Sequence, residues 1–139
     1  MNAIVRSVDI NSGIEKVWAF ITQADKIAQW LMPNTFVGAV GTKFTMDCPP
    51  GVGSGAPVAC EVRELRPPAN GLARLVYTWV IDQPLTETLL EIDLTQMQGF
   101  TRLALVHSGW APGESELRSR HENGWDFLLG TRLVEALKA

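Results

Sequence analysis

The chain carries two histidines, His107 and His121, whose side chains can exchange a proton near neutral pH. A histidine beside a bound molecule acts as a general base or as a polar anchor. Neither residue has a carboxylate or a nucleophile at a spacing that indicates a catalytic set. We therefore interpret both first as hydrogen-bonded structural groups and second as polar anchors or general bases at a binding site, where a strand and the terminal helix could bring them together.

Cys48 and Cys60 are the only cysteines, and with the two histidines they would supply the four ligands that zinc prefers. None of these residues forms a close Cys-x-x-Cys or His-x-x-x-His pair, so the sequence predicts no metal site and, equally, no cofactor. The segment Gly51-Val52-Gly53-Ser54-Gly55 is followed by a strand pattern, without the lysine and helix of a phosphate-binding loop. We expect it to be a hairpin loop, and one hypothesis is that it gates a cavity.

Aromatic residues form the second group with binding chemistry: Trp18, Trp30, Phe44, Tyr77, Trp79 and Trp125. Each buries a large apolar area, and the indole or phenol adds a polar handle. Any one of them alone is best interpreted as core, but we expect Tyr77, Trp79 or Trp125 to contact a cavity. Arg132 either reaches that cavity to bind a ligand carboxylate or phosphate, or extends from the helix flank into solvent.

The elements that must position these side chains follow from periodicity and turn signals. Residues 3–9 predict a strand, and Ser12 with Glu15 predicts a capping box that opens a first short helix. A second short helix is predicted over Ala24 to Leu31. Gly, Pro and Asn then separate short β-rich runs, which predict antiparallel strands near 35–38, 41–48, 57–66, 72–80, 86–95 and 100–108.

One long helix is predicted from about Glu114 to Leu137, because Trp125, Leu129, Leu133 and Leu137 recur at intervals of four residues. We expect Gly124 to allow close approach to a strand. From Phe36 to Trp110 no helix-length segment fits between consecutive strands, which argues against parallel crossovers. The fold class is therefore α+β: a curved antiparallel sheet of about six or seven strands around the long C-terminal helix, with two short helices after the first strand.

Composition limits the classes of function. The chain has 139 residues, 46% of them hydrophobic, and a net charge of −3, which predicts one globular domain over residues 1–139. There is no basic field for nucleic acid. No segment resembles a membrane span or a secretory signal, so we expect a cytoplasmic protein without membrane insertion.

Several local patterns follow one another along the chain: Val8-Asp9-Ile10, Glu15-Lys16-Val17-Trp18, Ile21-Thr22, Trp30, Val62-Arg63-Glu64-Leu65-Arg66-Pro67-Pro68, Leu75-Val76-Tyr77-Thr78-Trp79, Thr101-Arg102-Leu103, His107-Ser108-Gly109-Trp110, His121 and Gly124-Trp125. Together they resemble the START-like helix-grip superfamily, and within it the branch of the activator of heat-shock-protein-90 ATPase in its small bacterial stand-alone form. The resemblance implies the helix-grip fold, which serves binding proteins, lipid carriers, aromatic-ring cyclases and co-chaperone modules.

The first hypothesis is non-enzymatic binding of a small hydrophobic or amphipathic molecule between the sheet and the C-terminal helix. Its candidate residues are Trp30, Phe44, Tyr77, Trp79, Leu90, Ile92, Leu103, Leu105, His107, His121, Trp125, Leu129 and Arg132. One alternative is a co-chaperone-type interaction module acting on a heat-shock protein. The other is a cyclase-like enzyme on a polyketide-type ring, with His107 or Tyr77 moving protons. We expect a monomer or a homodimer.

Overall fold

The computed structural model describes residues 3–48, 57–81 and 87–138. Its strands are β1 Ile4–Ile10, β2 Lys43–Met46, β3 Val58–Ala69, β4 Leu72–Trp79, β5 Thr88–Gln96 and β6 Thr101–Ser108. Two short helices follow β1, namely α1 Ile14–Thr22 and α2 Ala24–Trp30. The chain ends in a continuous C-terminal rod, residues 115–138, made of α3 Ser115–Phe127, a π-helical segment Leu128–Leu133 and α4 Val134–Lys138.

The strands form one curved antiparallel sheet in the order β1-β6-β5-β4-β3-β2. This confirms the predicted α+β class, with the long helix at the C-terminus and two short helices after the first strand. Register places Tyr77 opposite Leu90, Leu90 opposite His107, and His107 opposite Ile4. These four side chains are buried in one row on the inner face of the sheet.

The strand predicted near 35–38 is wrong, because the described chain there has only an isolated bridge between Asn34 and Met46. The side-chain oxygen of Asn34 accepts a hydrogen bond from the Phe36 backbone N–H at 3.0 Å, and its amide donates to the carbonyls of Ala24 and Met32. Such a side-chain turn holds the backbone in place of a strand ladder.

The capping box predicted at Ser12 and Glu15 is also wrong. Helix α1 begins at Ile14 after Gly13, and no side chain caps it locally. Instead, the side-chain oxygen of Gln96, at the end of β5, accepts the Ile14 N–H at 2.8 Å. A residue distant in sequence therefore satisfies the first amide of the helix, which local spacing could not show.

The inner face of the sheet packs on the C-terminal rod, whose buried residues are Trp125, Leu129, Leu133 and Leu137. Along α3 only Trp125 is buried. Polar contacts hold α3 beside strand β1: Arg6 pairs with Glu122 at 2.9 Å and with Asp126 at 2.5 Å. None of the described helices is both long and apolar enough to cross a membrane.

Candidate functional site

A cavity of about 450 Å³ lies between α3, the first residue of β3, the end of β4 and the segment after α2. This volume falls in the range of small-molecule sites, about 300–1,000 Å³. Its walls are largely apolar, and thirteen of the described residues line it: Leu31, Met32, Cys48, Val58, Trp79, Ile81, Leu117, Arg120, His121, Gly124, Trp125, Phe127 and Leu128.

On the cavity wall, the indole of Trp79 donates its Nε1–H to His121 Nε2 at 3.1 Å. The other ring nitrogen, His121 Nδ1, lies 2.9 Å from the carbonyl oxygen of Leu117. A carbonyl only accepts, so Nδ1 carries the proton and Nε2 supplies the lone pair. Both ring nitrogens of His121 are thus engaged within the protein.

Behind this wall, His107 has the opposite tautomer. Trp125 donates its indole N–H to His107 Nδ1 at 3.1 Å. Thr88 donates its hydroxyl to the Trp79 carbonyl at 2.6 Å, so the same hydroxyl accepts the proton of His107 Nε2 at 2.8 Å. The two imidazole rings lie 5.4 Å apart between centroids, which confirms that the histidines approach each other.

Burial keeps both rings neutral. Desolvation lowers the pKa of His107 to about 3, with a further contribution from His121, and it also lowers the pKa of His121. A general base needs an accessible lone pair, and each histidine already gives its lone pair to an indole N–H. Tyr77 stays protonated as well, since burial raises the pKa of its phenol well above the usual value. The arrangement supports packing and positioning more readily than proton transfer.

Three of the thirteen residues proposed from sequence line the cavity, namely Trp79, His121 and Trp125. The others, apart from Arg132, lie buried in the core around it: Trp30, Phe44, Tyr77, Leu90, Ile92, Leu103, Leu105, His107 and Leu129. Arg132 is exposed and donates to the carbonyl of Gln29 at 3.3 Å, outside the cavity lining. The sequence analysis allowed Arg132 either to reach the cavity or to extend from the helix flank. The structure places it on the helix flank.

The sequence interpretation missed the other ten lining residues, among them Arg120 and Gly124. Helical spacing contained the signal, because Leu117, His121, Gly124 and Leu128 recur every three or four residues along α3. The expected close approach of Gly124 to a strand is wrong. A Cβ added at Gly124 would meet no heavy atom within 4 Å, since this position faces open space beside the cavity.

No three His, Cys, Asp or Glu side chains converge as a metal site anywhere in residues 3–48, 57–81 and 87–138. Cys48 and Cys60 form no disulfide. The predicted hairpin loop at 51–55 lies outside the described residues. What the described residues offer is therefore an apolar cavity with a polar rim at Arg120.

Comparison with known proteins places this geometry in a family. Residues 11–138 match the family model described as activator of Hsp90 ATPase homolog 1-like protein. The chain belongs to this family. No curated protein matches the chain.

Solved structures share the architecture of this Hsp90-activator-like family along nearly the whole chain. Protein MLL2253 from Mesorhizobium loti is 26% identical with a TM-score of 0.87, over 99% of this chain and 97% of its own. Protein BH1534 from Bacillus halodurans is 25% identical with a TM-score of 0.78, over 99% and 97%. The Aha1 dimer from Colwellia psychrerythraea is 20% identical with a TM-score of 0.77, over 99% and 96%, a likeness of fold alone.

Proposed function

We propose that this protein binds a small hydrophobic or amphipathic molecule in the cavity beside α3, without catalysing a reaction on it. The observation that carries the proposal is the lining: the indoles of Trp79 and Trp125, with mostly apolar neighbours, line a partly open cavity of about 450 Å³. An apolar cavity with few polar groups is the usual form of a small-molecule site.

The energetics of such a site depend on burial of apolar surface. Each 100 Å² of ligand surface removed from water contributes roughly 2.5 kcal/mol before the costs of association. The walls are held in place before the ligand arrives, since the indole N–H groups of Trp79 and Trp125 are bonded to histidines. A preorganised wall lowers the entropy cost of binding.

The test is a fluorescence titration with 1-anilinonaphthalene, a neutral dye that brightens in apolar surroundings. We expect saturable binding to the wild type. Gly124→Leu places a side chain in the open space beside the cavity, and we expect it to weaken the affinity about tenfold or more by occupying the ligand volume.

Gly130→Leu is the matched control for this titration. Gly130 lies six residues further along the same rod, has no heavy atom within 4 Å of an added Cβ, and is absent from the cavity lining. We expect its affinity to remain within about twofold of the wild type. Absence of saturable binding, or equal losses in both variants, contradicts the proposal.

A second candidate function is interaction with a chaperone of the Hsp90 type, which the description of the family model favours. The test is the ATPase rate of a purified bacterial Hsp90 with this protein added. Stimulation that survives in Gly124→Leu would assign the activity to the protein surface. The cyclase-like alternative lacks such an observation, because the lone pairs of both histidines are occupied by indoles.

A further inference from the structure

The cavity lining contains one charged residue in the described chain, Arg120. The polar atoms of His121 are bonded inside the protein, to Trp79 and to the Leu117 carbonyl. The indole N–H groups of the two lining tryptophans are bonded as well. The imidazole and the two indoles of the lining therefore have no N–H group left for a ligand. The guanidinium of Arg120, at the rim, does.

Arg120 is held only loosely by its protein partner. Its Nη2 lies 2.7 Å from Glu116 Oε1 one turn earlier, and both side chains are exposed, at 69% and 81%. Exposed pairs of this kind contribute little and exchange readily with solvent. The guanidinium has five N–H donors in a planar fork, so the contact with Glu116 leaves most of them available.

The remaining acidic residues of α3 face other partners. Glu122 and Asp126 both pair with Arg6 of β1, on the side of the helix held against the sheet edge. They therefore do not compete for Arg120. Positive charge at the rim of an apolar cavity is complementary to a molecule with an apolar body and one anionic end.

We propose that the ligand is an amphipathic organic acid whose carboxylate forms a bidentate contact with Arg120 while its apolar body lies against Trp79 and Trp125. This inference rests on the proposed function, since it assigns the chemical class of the molecule in the same cavity. The aliphatic and aromatic walls select for a hydrophobic body, and the rim selects for the acid.

The experiment compares decanoate with decan-1-ol, which have the same chain length and differ in the charged head. Each displaces 1-anilinonaphthalene from the wild type, from Arg120→Gln and from Arg120→Lys. We expect Arg120→Gln to weaken decanoate about tenfold and to leave decan-1-ol and the dye within about twofold. Arg120→Lys keeps the charge but loses the planar fork of donors, so we expect its decanoate affinity to lie between those of the wild type and Arg120→Gln.

Arg132→Gln is the matched control, because Arg132 is an exposed arginine of the same rod outside the cavity lining. We expect it to change none of the three affinities. The decanoate effect of Arg120→Gln should also shrink as salt concentration rises.

The outcomes separate the two proposals. If the dye does not bind the wild type, both are wrong. The cavity function stands if the dye binds the wild type and Gly124→Leu lowers the dye affinity. The acid assignment is overturned if Arg120→Gln lowers the affinities for decanoate and decan-1-ol equally, or lowers neither. Circular dichroism of each variant verifies that the fold is retained.

Discussion

Each histidine of this protein accepts a hydrogen bond from an indole, and the two rings are protonated on opposite nitrogens. His107 carries its proton on Nε2 toward Thr88, and His121 carries its proton on Nδ1 toward the Leu117 carbonyl. A second proton on either ring would point at an indole N–H, where no acceptor is present. The pairs therefore hold Trp79 and Trp125 in fixed orientations as long as both rings stay neutral.

This neutrality predicts an acid-sensitive fold. The pKa of His107 is lowered to about 3 in the folded protein, so the unfolded chain binds a proton that the folded chain does not. Above the ordinary histidine pKa of about 6.5 both states of the chain hold a neutral ring, so this group does not lower the free energy of unfolding. That free energy falls progressively as the pH drops from about 6.5 toward 3, where the folded protein also binds the proton. Between pH 7.5 and 5.0 we expect this group to lower the free energy of unfolding by about 2 kcal/mol.

Urea denaturation at the two pH values measures this change. His107→Gln removes the titrating ring, so its free energy of unfolding is lower at pH 7.5 but falls less steeply toward pH 5.0. An identical pH dependence in the wild type and in His107→Gln would show that other groups carry it. His121 acts in the same direction, because burial lowers its pKa too.

The two cysteines give a second prediction for single residues. Cys60 is buried, and desolvation raises the pKa of its thiol to about 12, so it forms almost no reactive thiolate. Cys48 is partly exposed and lines the cavity. We expect N-ethylmaleimide to add once to the native protein, at Cys48, and twice after unfolding. Mass spectrometry counts the adducts.

The same reaction reports on the cavity. Saturating 1-anilinonaphthalene should slow the modification of Cys48, because a bound molecule covers that wall. Modification of Cys60 in the native protein, or an unchanged rate at Cys48 with dye bound, would contradict this assignment.

Among the elements, the C-terminal rod combines buried residues at four-residue spacing with a π-helical segment. Buried residues spaced by four drift about 40° per step around an α-helix, since each residue turns about 100°. Trp125, Leu129, Leu133 and Leu137 are nevertheless all buried. The π-helical segment Leu128–Leu133 has wider turns, which reduces that drift and keeps the stripe on one face.

The glycine in α3 gives a prediction at this scale. Gly124 is helical and has no heavy atom within 4 Å of an added Cβ. We expect Gly124→Ala to raise the free energy of unfolding by up to about 1 kcal/mol, because alanine loses less backbone entropy in a helix. Chemical denaturation measures the change. A loss of stability instead would mean that the space beside Gly124 is filled.

The sequence predicted elements well where the signal was local and poorly where it was not. Hairpin turns such as Asn70-Gly71, both with positive φ, mark the strand ends, and the predicted strands from 41 to 108 all appear. The capping box at Ser12 failed because Gln96, far along the chain, satisfies the first amide of α1. Capping patterns involve residues that are neighbours in sequence, whereas the contact between Gln96 and the Ile14 N–H forms only in the folded chain.

At the scale of the whole molecule, the cavity lies beside α3 rather than over the middle strands of the sheet. Leu90, Ile92, Leu103 and Leu105 are 0–1% exposed, and none of these four side chains lines the cavity. Space remains beside α3 because only Trp125 of that helix is buried. The sequence predicted the stripe of Trp125, Leu129, Leu133 and Leu137 on the C-terminal helix, but the position of the cavity depends on how α3, β3 and β4 meet the segment after α2.

Membership of the Hsp90-activator-like family describes the architecture of the molecule and leaves its task open, because one fold serves several tasks. The dye titration and the chaperone ATPase assay address different surfaces of the same molecule. A cavity variant that loses dye but retains chaperone stimulation would show that the two activities use separate parts of the fold.

Two indoles form part of the cavity wall, and this gives the protein a built-in optical signal. A guest that absorbs in the near ultraviolet would take up the emission of Trp79 and Trp125 by energy transfer, without any label. Metabolites that absorb in the near ultraviolet can therefore be screened in a plate reader by the quenching of tryptophan emission. Colourless metabolites can be screened by displacement, because the emission returns when they replace a bound quenching guest.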